Sequence, residues 1–192
     1  MSLEKIANEV GTPTYIYSAK SFNKQFRELE KAFKGVDSKI FYSVKANSNV
    51  NIVSLFNQLD SGFDIVSGGE LHRVIAAGAA PQAIIFSGVG KSVSEIDLAL
   101  KVGIDCFNIE SAPELDRIIE RSRVLGKKPD ISVRINPDID ALTHPYISTG
   151  LKENKFGVDR VSALKLFKSA QDSKYVELVL SLIHISEPTR PN

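Results

Sequence analysis

Short β-branched or aromatic runs alternate along this chain with amphipathic helical stretches, and that alternation narrows the available folds more than any other feature. Thr14–Tyr17 reads as a first strand. A helix follows from about Ser18, with Phe22, Phe26, Leu29 and Phe33 at helical spacing and Gly35 beyond its end. Further strands are expected at Lys39–Val44, Phe63–Val66, Ala83–Phe86, Ile104–Ile109, Ile131–Ile135 and Val176–Val179. Between them the helical pattern covers about Asn51–Gln58, a stretch from near Gly69 to before Gly78, and Ser162–Gln171. Ser92 and Glu95 form a capping box that opens a helix ending at Gly103. Ser111 and Glu114 form a second, with Pro113 in the first turn and Gly126 closing that helix. Residues from Pro137 to about Phe156 show no periodicity, and a βα connection of that length is usually functional or disordered.

Regular βα alternation implies a parallel sheet. An open doubly wound sheet and a closed eight-stranded barrel both satisfy it. No Gly-x-Gly-x-x-Gly follows the first strand, which removes support for dinucleotide binding. We read a (β/α)8 barrel, although the pattern alone leaves the two nearly level. The net charge of +1 gives no reason to expect nucleic acid or an anionic membrane as partner. One cysteine, Cys106, allows no intrachain disulfide and suits a reducing compartment. With no apolar run of spanning length and no signal-peptide pattern after Met1, a cytoplasmic location is expected. The reading assigns no metal site.

In a barrel, the chemistry gathers where strands end and loops begin. Lys45 ends the first barrel strand, where a crowded mouth can desolvate an amine and make it a nucleophile or Schiff-base former. A solvated strand-end lysine is the plainer alternative. Asp64 lies inside a strand and needs a partner, which a structural pair would also supply. Ser67, Gly68 and Gly69 present either an anion-binding helix N-terminus or, as local evidence favours, a plain cap. Ser87 and Gly88, Asn108 and Glu110, and Arg134 and Asn136 end later strands, and Arg134 serves either an anionic ligand or a neighbouring carboxylate. His144, Tyr146, Thr149 and Lys155 lie in the long loop. Cys106 reads as core. Gly88-Val-Gly-Lys91-Ser92 resembles the end of a phosphate-binding loop, but Ile85 stands where that pattern needs glycine.

Five stretches together carry a resemblance: Phe41-Tyr-Ser-Val-Lys-Ala-Asn47, Phe63-Asp-Ile-Val-Ser-Gly-Gly-Glu70, Asn108-Ile-Glu-Ser111, Arg134-Ile-Asn-Pro-Asp138, and the long run from His144 to Gly157. In this order and spacing the chain, from about Thr12 to Val179, resembles the diaminopimelate decarboxylase family. These are group IV pyridoxal-phosphate-dependent decarboxylases of the alanine-racemase-like fold. The resemblance implies a cofactor barrel followed by a β-domain, with pyridoxal 5'-phosphate held on the amine of Lys45. It implies decarboxylation of meso-2,6-diaminopimelate to lysine in a full-length parent that forms a homodimer. It also places Asp64 and Arg134 near the cofactor, with Ser67, Gly68, Gly69 and Glu70 shaping the floor beside it. A relative acting on ornithine, arginine or carboxynorspermidine, an amino-acid racemase, and a non-catalytic cofactor-binding barrel are the alternatives.

By this reading residues 1–34 lead into the barrel, residues 35–179 form about six of its eight strands, and the β-domain is absent. Leu180 to Pro191 can be spelled by a transposase adapter beginning CTG TCT CTT ATA CAC ATC, so residues 180–192 are expected to be translated adapter. His184 falls where the family has a ring-stacking histidine, which we take as coincidence. An incomplete barrel leaves open strand edges, so a polypeptide of these residues alone is expected to be insoluble or molten, and inactive.

Overall fold

The computed structural model describes residues 2–136 and 156–183. They fall into two compact units, Met1–Ser38 and Lys39–Asn192. The first holds helices α1 (Leu3–Val10) and α2 (Ala19–Ala32), capped by the hydroxyls of Ser2 and Ser18. The sequence reading missed α1. It also expected a strand at Thr14–Tyr17, yet that stretch takes no strand conformation and Tyr15 is 90 % exposed. β-branched and aromatic residues favour a strand only where an edge is there to receive them.

The second unit alternates strand and helix as expected. Its elements are β1 (Phe41–Ser43), α3 (Val50–Gln58), β2 (Gly62–Ile65), α4 (Gly68–Ala76), β3 (Ile84–Phe86), α5 (Val93–Val102), β4 (Cys106–Ile109), α6 (Ala112–Leu125), β5 (Asp130–Ile135), α7 (Arg160–Gln171) and β6 (Glu177–Ile183). Every neighbouring pair of strands is parallel, and the spatial order is the chain order. A doubly wound sheet reverses its order partway. Right-handed crossovers that always advance in one direction instead place every helix on one face. The sheet is also curled: Phe41 on β1 and Leu182 on β6 line the same cavity of about 380 Å³. In a flat six-stranded sheet those edges would stand roughly 24 Å apart. The fold is therefore the partial parallel barrel that the alternation suggested.

Period-two alternation sorts the strand residues onto the two faces. Phe63, Ile65, Ile84, Phe86, Phe107, Ile109, Ile131 and Val133 are all fully buried and form the core. The alternate positions Phe41, Ile85, Cys106, Asn108 and Ser132 line the concave cavity. Gly62 sits opposite Phe41, and a Cβ there would lie 2.5 Å from the Phe41 ring, so the close approach of β1 and β2 needs glycine. β6 runs to Ile183 rather than ending at Val179. Leu178 faces Ile131 and Leu180 faces Ser132, so the ladder has an irregularity between them that leaves Val179 out of register. His184 lies outside the described residues.

Two titratable groups on the concave side give checks on this packing. Burial pushes the Cys106 thiol up to about 12. Its alkylation by iodoacetamide near neutral pH is expected to be on the order of 10³-fold slower than that of an unperturbed cysteine, because the thiolate is the nucleophile. Labelling at the free-thiol rate would show that this face is not packed as described. Asp130, at the start of β5, has its carboxyl raised by burial first and then by Asp105 and Glu177. A raised carboxyl holds its proton more tightly folded than unfolded. Stability is thus lost as pH climbs from the unfolded value of about 3.9 through the folded one. Asp130→Asn is expected to raise the urea midpoint at pH 7 and to leave it unchanged below that unfolded value. An equal gain at both pH values would assign the effect to something other than charge.

Candidate active site

The strand C-termini carry the polar residues, as a barrel requires. Lys45 lies in a single 3₁₀ turn, Val44–Ala46, directly after β1. Val44 anchors the turn by complete burial, while Lys45 itself is exposed. Of the two readings its position allowed, the structure shows the solvated strand-end lysine. The turn lifts Lys45 out of the strand before the sheet can bury it, and its amine has no ion-pair or hydrogen-bond partner among the described residues.

Behind Lys45 a chain of hydrogen bonds crosses the inner rim. Asn108 Nδ2 donates to Ser87 Oγ at 2.8 Å, and Ser87 Oγ donates to Asp64 Oδ1 at 2.5 Å. Ser43 Oγ reaches Asp64 Oδ2 at 3.5 Å. The Asn108 amide fixes the direction of the chain, because its N–H occupies the Ser87 lone pair and turns the Ser87 proton toward Asp64. Asp64 thus has the partners its place in a strand demanded, and it is a hydrogen-bond acceptor on both oxygens.

The Ser67–Glu70 segment is a cap rather than an anion cradle. Ser67 Oγ accepts from the Glu70 N–H at 3.2 Å, and Glu70 accepts from the Val66 N–H at 2.7 Å. The Gly68 N–H donates to Glu95 Oε1 at 2.7 Å. That bond leads the causes that lower the Glu95 carboxyl, followed by the hydroxyl and amide of Ser92. An anion arriving at α4 would find a carboxylate already there. A Cβ on Gly68 would lie 2.9 Å from Glu95 Cγ, whereas one on Gly69 would meet only Ser67 Oγ at 3.9 Å.

Arg134, at the end of β5, pairs with Glu110 at 3.3 Å and lies over the Phe156 ring at 4.9 Å from its centroid. Glu110 also accepts from the Gly88 N–H at 3.0 Å and the Gly157 N–H at 3.2 Å. Residues 134–136 and 156–158 are bridged: Val158 N–H donates to the Arg134 carbonyl and Asn136 N–H to the Val158 carbonyl. Gly157 has φ +73°, and a Cβ there would lie 3.0 Å from the Arg134 carbonyl. His144, Tyr146, Thr149 and Lys155 lie outside the described residues.

The sequence reading missed a buried pair beneath this rim. Lys91 Nζ donates to Glu114 Oε1 at 2.6 Å and to the carbonyls of Gly88 and Asn108, each at 2.8 Å. Glu114 Oε2 accepts from the Glu110 N–H at 2.8 Å. The second capping box is therefore not formed: Ser111 makes no side-chain cap, and the Glu114 carboxylate is turned to Lys91 and Glu110. The first box, Ser92 with Glu95, is present. Lys91 binds the chain's own carbonyls, so the phosphate-loop resemblance has no structural counterpart. The available signal was a lysine between β3 and α5 and a glutamate in the first turn of α6.

The donor set fits the aldehyde end of a pyridoxal cofactor. An accessible amine stands just after β1, with a carboxylate on the adjoining strand β2 and a guanidinium at the end of β5. The start of α4 is not an open phosphate cradle, since the Gly68 amide is already bonded to Glu95.

Comparison with known proteins agrees with this chemistry. The family described as pyridoxal-dependent decarboxylase, pyridoxal binding domain, matches residues 19–188. A diaminopimelate decarboxylase of Neisseria meningitidis serogroup A is 48 % identical over 181 residues, covering 94 % of this chain and 45 % of that protein. The crystal structure of the Helicobacter pylori diaminopimelate decarboxylase complexed with L-lysine superposes with a TM-score of 0.93 at 49 % identity, over 96 % of this chain and 47 % of that one. The corresponding complex from M. jannaschii gives 0.83 at 37 % identity, over 95 % and 44 %. The chain thus spans under half the length of the relatives it matches. It belongs to the pyridoxal-dependent decarboxylases, and what it carries is their pyridoxal-binding domain.

Proposed function

We propose that the full-length protein carrying this chain is a pyridoxal-phosphate-dependent carboxy-lyase that converts meso-2,6-diaminopimelate to L-lysine and CO2, with Lys45 holding the cofactor. The observation that carries the reading is the accessible Lys45 amine at the C-terminal end of β1, beside the Asn108–Ser87–Asp64 chain. The relatives' names supply the substrate. When bound, pyridoxal phosphate accepts the electron pair left behind as CO2 departs.

The residues of this chain do the holding. Lys45 would hold the cofactor through its side-chain amine, which is exposed on a short turn. Asp64, which accepts a hydrogen bond from the Ser87 hydroxyl, lies on the strand next to the one that Lys45 follows. Arg134 offers a planar fork to an anionic oxygen, while Gly68, Gly69 and Glu70 at the start of α4 would shape the floor beside the cofactor. The full-length protein acts in the cytoplasm as a homodimer on this reading; no helix among the described residues is long and apolar enough to cross a membrane. Among the described residues β1 and β6 are the edge strands of the sheet, each pairing on one side only.

The test is to supply the full-length protein with pyridoxal phosphate and measure CO2 and L-lysine formed from meso-diaminopimelate, with ornithine, arginine and carboxynorspermidine alongside. CO2 from diaminopimelate in clear preference to the other three is the expected result. Preference for another amine acid would reassign the substrate. Racemisation without CO2 would reassign the reaction, and cofactor binding with no turnover would leave a carrier.

A further inference from the structure

We propose that Glu110 is a positioning residue for the cofactor site, acting through Arg134. The inference rests on the reading that Arg134 faces the cofactor. A single carboxylate, only 1 % exposed, gathers three partners, two from loops and one from the end of a strand. Oε1 takes the Gly88 N–H that follows β3. Oε2 takes the Gly157 N–H from the strand-side bridge and the Arg134 guanidinium at the end of β5. Both contacts to Arg134 go to Nη1, at 3.3 and 3.4 Å. Those distances describe an ion pair that sets the plane of the guanidinium without engaging both prongs of its fork.

Two further contacts make the arrangement rigid. The Phe156 ring lies against one face of the guanidinium. Gly157 packs so closely on Arg134 that a Cβ would lie 3.2 Å from Arg134 Cγ. Glu110 is itself held from behind, because its backbone N–H donates to Glu114, whose other oxygen is bound by Lys91. The guanidinium is thereby oriented by a carboxylate that cannot follow it if it moves. Preorganised donors of this kind need no rearrangement when an anionic group arrives. Glu110 is too deeply buried to touch a ligand itself, and its effect passes through Arg134.

The experiment is a double-mutant cycle on the full-length holoprotein, with Glu110→Gln, Arg134→Lys and the combination. The pyridoxal phosphate dissociation constant and the visible absorption band of the bound cofactor are read for each, and thermal melts check folding. Gln keeps the shape and can still accept one of the two amide bonds, but it has no charge for Arg134. The expected result is that Glu110→Gln and Arg134→Lys each weaken cofactor binding about tenfold or more and shift the band. The double variant should then be little worse than either single one, as for residues in one network. If Arg134→Lys weakens binding while Glu110→Gln leaves affinity and band unchanged, Glu110 is only structural and the proposal falls with the cofactor reading intact. Additive losses in the double variant would also overturn it. If Arg134→Lys itself changes neither quantity, Arg134 is not at the cofactor, and that reading fails together with this one.

Discussion

Lys91→Met in the full-length protein is expected to lower folding stability by about 3–5 kcal/mol, the usual cost of removing one partner from a buried ion pair. The Lys91 side chain has no exposed surface and that of Glu114 only 5 %. An ammonium has three protons to donate, and here each has an acceptor: Glu114 and the carbonyls of Gly88 and Asn108. The Phe86 ring lies 5.5 Å from the same nitrogen. Methionine fills much of the volume but leaves Glu114 charged in the core, with only the Glu110 N–H to bind. Two carbonyls also lose their donor, at about 1–3 kcal/mol for each that water cannot reach. Urea denaturation of the two proteins side by side makes the measurement, and a loss below about 1 kcal/mol would mean that the pair is hydrated or unformed. Lys91→Met combined with Glu114→Leu is expected to recover part of the loss, because it leaves no lone buried charge.

Lys45→Arg is expected to do the reverse: nearly no effect on stability and complete loss of covalent cofactor attachment. Lys45 is exposed and takes no part in the core, so its replacement belongs with surface changes worth less than about 0.5 kcal/mol. Arginine keeps the positive charge, but a guanidinium remains protonated and does not act as the amine nucleophile. Borohydride reduction of the holoprotein, followed by peptide mapping, should find the pyridoxyl label on the peptide containing Lys45 and nowhere in the variant. Turnover should fall on the order of 10³-fold or more, at least ~4 kcal/mol of barrier. Label persisting in Lys45→Arg on another lysine would remove Lys45 from its proposed role. Taken together, the two lysine variants separate holding the barrel from holding the cofactor.

The sequence by itself determined the elements and the faces they present. A helix and a strand are legible because their periods are local: Ser92 and Glu95 lie one turn apart, and Phe63 and Ile65 lie two residues apart on one face of a strand. The same locality placed Lys45 and Arg134 at strand ends and Asp64 inside a strand before any contact was known. Where a local pattern needed a distant partner, it misled. Thr14–Tyr17 has strand composition but no edge to join, and Glu114 has capping-box spacing but is turned toward a lysine two dozen residues away.

Tertiary structure alone decided which charges meet. Glu114 binds a residue 23 positions back, Arg134 one 24 positions back, and Gly68 a carboxylate 27 positions ahead. Each separation is about one strand–helix step, so these bonds tie the loop after one strand to the loop after the next. Several carboxylates stand within such a step of Lys91 or Arg134, and nothing in a linear pattern chooses among them. The choice was made by the curl of the sheet, which brings successive strand ends within hydrogen-bond reach on the same rim and turns Glu110, just after β4, and Glu114, in the first turn of α6, inward.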